Sequence, residues 1–284
     1  WYLPGTKAGG PVRSIYSLIT LLKNDFDFYI ITTNTDLGSN EPYREIAADT
    51  VFEKEGLHYF YFSPSELHTD RVLSLLKQIN PDLIYLNSFW LYSFSIAIAK
   101  LKRRALIQAP VLLAPRGMLG KGAMSIKPIK KRIYLLLAKT LNWYRNIMFH
   151  ATQQQERSDI LLQFPNATIR VAPNVNASPA TENTSVKLPG KLRLFFLSRV
   201  AAVKNLHTAI ELLGQLPADC SVDYDIYGNL EDRDYWAQCE ALIAKLPPNV
   251  SVSYKREIPF YDVQRVISGY HFLLMPTLNE NYGH

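Results

Sequence analysis

The chain has 284 residues, is 48% hydrophobic and carries 31 Lys and Arg against 25 Asp and Glu, a formal net charge of +6. That length and apolar content fit two domains of ordinary size, each with its own core. The two cysteines, Cys220 and Cys239, supply neither a disulfide framework nor metal-ligand spacing, and no run reaches the roughly 18–20 apolar residues of a bilayer span, the longest (89–99) being interrupted by two serines.

In chain order, the first signal is Gly9-Gly10-Pro11, followed by Val12, Ile15, Leu18, Ile19 and Leu22 at helical spacing, with Pro11 suited to the first helical position. Strand-like runs follow at 28–33, 59–62, 83–87 and 111–114, with helical stretches at 65–79, 92–104 and 127–143. Further strands are expected at 147–152 and 169–172. Strands alternating with helices, several of them continuously apolar, predict a mostly parallel sheet covered on both faces. The polar segment 176–190 reads as an interdomain linker. The alternation then restarts, with strands at 192–197, 222–227, 250–254 and 272–275 and helices at 206–216, 235–246 and 263–268. The expected fold is α/β with two Rossmann-like domains, 1–175 and 191–284. Both ends look cut: almost nothing precedes the glycine-rich loop, and the second domain has only four strands.

Two strand–loop–helix units in the second half carry chemistry. In LRLFFLSRVAAVKNL an apolar strand breaks into a loop bearing Arg199 and Lys204 before a helix restarts near Asn205. Two cations at the carboxyl edge of a parallel sheet, beside a helix N-terminus, suit a phosphate or diphosphate. The second unit repeats the design: a strand, a loop opened by Pro276, the carboxylate Glu280, then Gly283 where backbone must approach closely. Each has an ordinary alternative. Lys204 also suits the start of a helix, and Glu280 suits a helix N-terminus, where negative charge is favoured anyway.

SRVAAVKN and PTLNENYGH resemble the donor-site motifs of the retaining GT-B glycosyltransferases of family four, which include many bacterial polysaccharide-assembly enzymes. PGTKAGGPVRSIYSLITLL resembles that family's glycine-rich loop and first helix, and LLAPRGMLGKGAM with FHATQQQE resembles one branch of it. The likeness covers most of the chain, with four motifs in order. It implies two domains facing across a cleft and transfer of a sugar, with anomeric retention, from a nucleotide-diphosphate donor to a glycan or lipid-linked acceptor. On that reading Arg199 and Lys204 hold the diphosphate, and Glu280 contacts the donor sugar. Asn281, Tyr282 and Gly283 offer backbone amides, and Gly9 and Gly10 let the first loop come close to ligand. The family's E-x7-E pattern would place its second glutamate at position 288, beyond the chain. Front-face attack guided by the leaving phosphate is the implied mechanism. No metal or other cofactor is expected on that resemblance, since in the family side-chain cations such as Arg199 and Lys204 stand in for the divalent ion.

Arg116, in Ala-Pro-Arg-Gly-Met, follows a buried strand at its carboxyl edge where many relatives carry a histidine, which leaves open the group that faces the reacting bond. A carboxylate partner for Arg116 at a domain interface is the alternative. Gly9-Gly10 also suits a plain turn. In FHATQQQE, Thr152 reads first as a helix cap, with Glu156 a candidate to reach the acceptor. A dehydrogenase or epimerase would need Gly-x-Gly-x-x-Gly after a strand, which GTKAGG does not satisfy. A non-catalytic sugar-nucleotide-binding or scaffolding protein is the other alternative.

Charge is uneven: residues 1–175 hold 21 Lys and Arg against 13 Asp and Glu (+8), and the remainder 10 against 12 (−2), summing to +6. The cations are not interleaved with stacking aromatics, which argues against nucleic acid as partner. An anionic membrane surface or a lipid-linked phosphate fits better, and with it a cytoplasmic protein peripheral on the inner face of the plasma membrane. Lys127, Lys130, Lys131, Arg132 and Lys139 beside an apolar stripe suggest an interfacial helix, the alternative being a core-packed helix with a solvated basic face.

Overall fold

A computed structural model of the chain describes residues 1–5, 7–175, 185–259 and 262–278. The chain folds as two compact units, Trp1–Ser178 and Pro179–Glu280. The first unit opens with α1 (Gly10–Leu22), β1 (Tyr29–Thr33), β2 (Val51–Lys54), β3 (Leu57–Phe62), α2 (Thr69–Ile79) and β4 (Ile84–Leu86). A single π turn (Tyr92–Ile96) runs into α3 (Ala97–Arg103). Then come β5 (Val111–Leu113), α4 (Lys121–Ser125), α5 (Pro128–Thr140), β6 (Ile147–Ala151), α6 (Gln154–Gln163) and β7 (Thr168–Val171).

Strands β4, β5, β6 and β7 lie side by side in that order, all parallel. Parallel neighbours need a crossover between them, and their buried strands read as apolar runs. Val111, Leu113, Ile147 and Phe149 accordingly sit in one core with Leu75, Leu101, Leu135 and Ile160 from the covering helices.

The expected single sheet of this half is in fact two, because β1, β3 and β2 form a separate three-stranded sheet in the order β1-β3-β2. Here β1 pairs parallel with β3, while β2 pairs antiparallel with it. The β2–β3 hairpin turns on Glu55 and Gly56, both at positive φ (55° and 74°), the backbone of a tight two-residue turn. Strand β2 escaped the sequence reading because it is an exposed edge with no alternation to read. Alternation in β3 serves both sides of its sheet. Phe60 and Phe62 join the main core, while Tyr59 and Tyr61 stack on Phe52 of β2 at 5.5 and 6.0 Å between ring centres. Helix α1 lays Val12 and Ile19 against Ile30 and Leu57 in a smaller core.

The second unit runs β8 (Lys191–Leu197), a 3-10 turn (Ala202–Lys204), α7 (Leu206–Leu213), β9 (Ser221–Tyr227) and α8 (Arg233–Ile243). It continues with β10 (Val250–Arg256), α9 (Val263–Ile267) and β11 (Phe272–Leu273). All four strands are parallel, in the order β10-β9-β8-β11. The chain thus moves outward from β8 through β9 to β10, then returns to the other side of β8 to place β11. That reversal is a topological switch, and doubly wound sheets open their ligand crevice outside the carboxyl ends of the strands at such a point. In β9, Val222, Tyr224 and Ile226 enter the core with Leu206, Ile210 and Leu213 of α7. Cys239 is buried and Cys220 half-buried, and both are free thiols.

Candidate functional site

The loop leaving β8 is fixed by its neighbour across the carboxyl edge. Ser198 N donates to Tyr227 O (3.0 Å) and Val200 N to Asn229 O (2.8 Å), so Arg199 is held between two anchored residues. Gly228, with φ of 142°, lets this crossing occur: a Cβ there would lie 1.8 Å from Ser198 O. Arg199 projects outward, about half exposed, and its Nη1 donates to both carboxylate oxygens of Glu231 at 2.9 and 2.7 Å. Lys204 is buried at the end of the 3-10 turn, its amide donating to Ala201 O at 2.9 Å.

Asn205 follows with φ of 58°, a left-handed conformation that Asn tolerates better than most residues. Its side chain ties two loops together. Asn205 Nδ2 donates to Pro276 O at 3.0 Å, and Asn205 Oδ1 accepts from Thr208 Oγ1 at 2.8 Å. Leu278 N donates to Val203 O at 3.0 Å, and Thr277 Oγ1 to the same carbonyl at 3.3 Å. The loop after β8 and the loop after β11 are therefore fastened to each other on the two sides of the topological switch. Glu280, Asn281, Tyr282 and Gly283 lie outside the described residues.

Beside these loops, Asn229, Leu230, Tyr254, Arg256 and Glu257 line a hollow of about 580 Å³ at the carboxyl ends of β9 and β10. That volume falls within the range of about 300–1,000 Å³ usual for small-molecule sites. Val200 bridges Leu230, so the hollow adjoins the Arg199 loop. The sequence reading passed over these residues. The one signal pointing to them is a glycine directly after a strand of alternating polar and apolar residues, in Asp225-Ile-Tyr-Gly228-Asn.

In the first unit, Gly9 caps α1 at φ of 66° and a Cβ on it would meet nothing within 4 Å; Gly10 is the first helical residue. Arg116 and Gly117 are both left-handed, at φ of 55° and 74°. The Arg116 guanidinium is spread over the carboxyl edge of the sheet. Its Nε and Nη2 donate to Asn87 Oδ1 at 3.1 and 2.7 Å, its Nη2 also to Tyr85 Oη at 3.1 Å, and its Nη1 to Asn174 Oδ1. Those partners are amide and phenol oxygens. Among the described residues the guanidinium forms no ion pair, which tells against the alternative of a carboxylate partner.

The network continues through Tyr85 to His150. His150 Nε2 lies 2.8 Å from Ala172 O and therefore carries the proton. Nδ1 is left to accept from Tyr85 Oη at 2.5 Å. Burial lowers the His150 pKa from its usual value, partly opposed by the bond to Ala172 and reinforced by Arg116. Burial raises that of Tyr85, with Arg116 opposing. The imidazole is thus held neutral and the phenol protonated.

Glu156 is 1% exposed, so a direct reach to an acceptor is corrected to an internal role. Its carboxylate accepts from Gly117 N, Thr152 N and Thr152 Oγ1, each at 2.7 Å. Thr152 is likewise not the cap. Gln153 occupies that position without a side-chain bond, and the Thr152 hydroxyl donates to Glu156 instead. Glu156 thereby pins the turn that presents Arg116.

Among the described residues, no three His, Cys, Asp or Glu side chains cluster as metal ligands, and no helix is long and apolar enough to cross a membrane. No protein-family model matches the chain, and no curated protein matches it by sequence. Solved structures do. HepE of Anabaena in complex with UDP and glucose superposes with a TM-score of 0.63 at 14% identity, over 99% of this chain and 75% of that one. Sucrose-phosphate synthase from Thermosynechococcus elongatus gives 0.63 at 14% identity, over 98% and 72%. The catalytic domain of starch synthase IV from Arabidopsis thaliana, bound to ADP and acarbose, gives 0.62 at 13% identity, over 100% and 78%. At such identities the likeness speaks for the fold: this is an α/β chain of the architecture seen in GT-B glycosyltransferases.

Proposed function

We propose that the chain is a glycosyltransferase that moves a sugar from a nucleotide-diphosphate donor to a glycan or lipid-linked acceptor with retention of anomeric configuration. The observation that carries this reading is the fastening of the Arg199–Lys204 loop to the Pro276–Leu278 loop across the switch between β8 and β11. On this reading the second unit holds the donor. Arg199 exchanges its contact with Glu231 for diphosphate oxygens, to which its planar fork is suited, and Lys204 supplies a second positive charge. Both cations stabilise the leaving diphosphate as the bond to the anomeric carbon breaks, and groups already in place need no reorganisation in that step. Glu280 accepts hydrogen bonds from sugar hydroxyls, with Asn281, Tyr282 and Gly283 contributing backbone amides. In the first unit, Gly9 and Gly10 put no side chain between their loop and a ligand, and Arg116 presents fixed positive charge at the carboxyl edge of its own sheet. The structural neighbours support the donor class, since HepE is seen with UDP and starch synthase IV with ADP. A binding screen of nucleoside-diphosphate sugars, followed by detection of released diphosphate and of the product's anomeric configuration, tests it. No binding across the panel, or an inverted product, would sink the reading.

A further inference from the structure

The chain holds no Asp or Glu between residues 83 and 155, while that stretch carries 12 Lys and Arg. Helix α5 lies within it and is apolar on two opposite sides. Leu135 and Ala138 are buried in the main core, with Tyr134 partly buried beside them. At 3.6 residues per turn, Ile129, Ile133, Leu136 and Leu137 fall on the opposite side, spaced i, i+4, i+7, i+8. These four are 72%, 56%, 63% and 47% exposed, and Ile126 and Leu141, just outside the helix at its two ends, are 62% and 53% exposed. Lys130 flanks the outward stripe on one side, Arg132 and Lys139 on the other, and all three are exposed.

One member of the expected basic cluster is withdrawn from this surface. Lys131 Nζ donates to Ala123 O at 2.6 Å and sits 5.3 Å from the centre of the Trp90 ring, so it fastens α5 to α4. Ile126 and Lys131 also line an apolar hollow of about 260 Å³ with Trp1, Trp90, Leu91 and Met118, which continues the apolar surface past the start of α5.

We infer that the outward face of α5 docks on an anionic membrane surface, its aliphatic stripe entering the headgroup region and its flanking cations meeting anionic lipid. A stripe bordered by cations on both sides is the arrangement of a helix lying in the plane of an interface, where long basic side chains reach back to the headgroups. Exposed apolar surface of this kind needs a partner. A second copy of the chain is a poor one. Stripe against stripe would bring Lys130, Arg132 and Lys139 close to their own copies, with no acidic residue on the segment to offset them. An anionic leaflet supplies the missing negative charge. This inference stands apart from the donor site, and the failure of one leaves the other untouched.

Co-sedimentation of the full chain with vesicles tests it. The vesicles are phosphatidylcholine alone and phosphatidylcholine mixed with phosphatidylglycerol, each at low and high salt. The expected result is binding to the anionic vesicles at low salt, weakened by salt and weak on the neutral ones. Replacing Lys130, Arg132 and Lys139 by Ser is expected to lower partitioning roughly a hundredfold, at about fivefold per cation. Replacing Ile129, Ile133 and Leu136 by Ser, with folding checked by circular dichroism, is expected to abolish the binding that survives salt. Failure to bind anionic vesicles, equal binding to neutral ones, or indifference to both triple variants overturns the inference. So does a chain that never binds vesicles but self-associates through this face, becoming monomeric in the aliphatic variant.

Discussion

Asn205 Nδ2 donates to Pro276 O at 3.0 Å, joining loops 71 residues apart in the chain. The bond spans the switch between β8 and β11 and, with the two donated to Val203 O by Leu278 N and Thr277 Oγ1, ties together the two loops proposed to enclose the diphosphate. Replacing Asn205 by Gly keeps the left-handed backbone and removes the amide. The expected cost is about 1–3 kcal/mol of stability for two hydrogen bonds, read from urea unfolding. Weaker nucleoside-diphosphate binding is expected alongside. Unchanged stability and affinity would show that Leu278 and Val203 hold the loops without it.

Glu231 competes for Arg199. The pair is about half exposed, and such a pair contributes at most about 1 kcal/mol. Glu231→Gln is therefore expected to tighten nucleoside-diphosphate binding by up to about fivefold in calorimetry. Weaker binding would mean that Glu231 positions the guanidinium rather than occupying it.

Glu156 is expected to matter for stability. Glu156→Gln replaces an acceptor-only carboxylate with an amide whose NH2 faces donors, at a predicted cost of about 2–3 kcal/mol in urea unfolding. A wild-type unfolding free energy in the variant would contradict the clip between Thr152 and Gly117.

Neutral His150 links stability to pH. Burial holds its folded pKa below the usual 6.5, so between those two values the unfolded chain binds a proton that the folded chain does not. Its contribution is present above about pH 6.5 and is lost as the pH falls below that toward the folded value. Unfolding measured at neutral and mildly acidic pH is expected to show a shallower acid loss for His150→Asn than for wild type. Parallel pH profiles would place the acid sensitivity elsewhere.

The parallel sheets were legible because buried strands are apolar runs separated by helical spacing. Strand β2 was not, since its side chains are mostly exposed and its register comes from the turn at Glu55 and Gly56. Arg199 and Lys204 were visible as cations after a strand. The parts that position them were not: Asn205 acts through a bond to a distant loop, and Gly228 through the space it leaves for Ser198. Glu156 is a candidate to reach the acceptor from sequence alone because charge is visible there. Its burial is not, and neither are the backbone donors that saturate it.

Calorimetric titration of nucleoside diphosphates into the wild-type chain, Arg199→Ala and Lys204→Met tests the central claim most directly. Each lost charge-assisted contact contributes about 1.5–3 kcal/mol, so each variant is expected to bind roughly 10- to 100-fold more weakly. Unchanged affinity in both variants would contradict the claim, as would a wild-type chain that binds no nucleoside diphosphate at all.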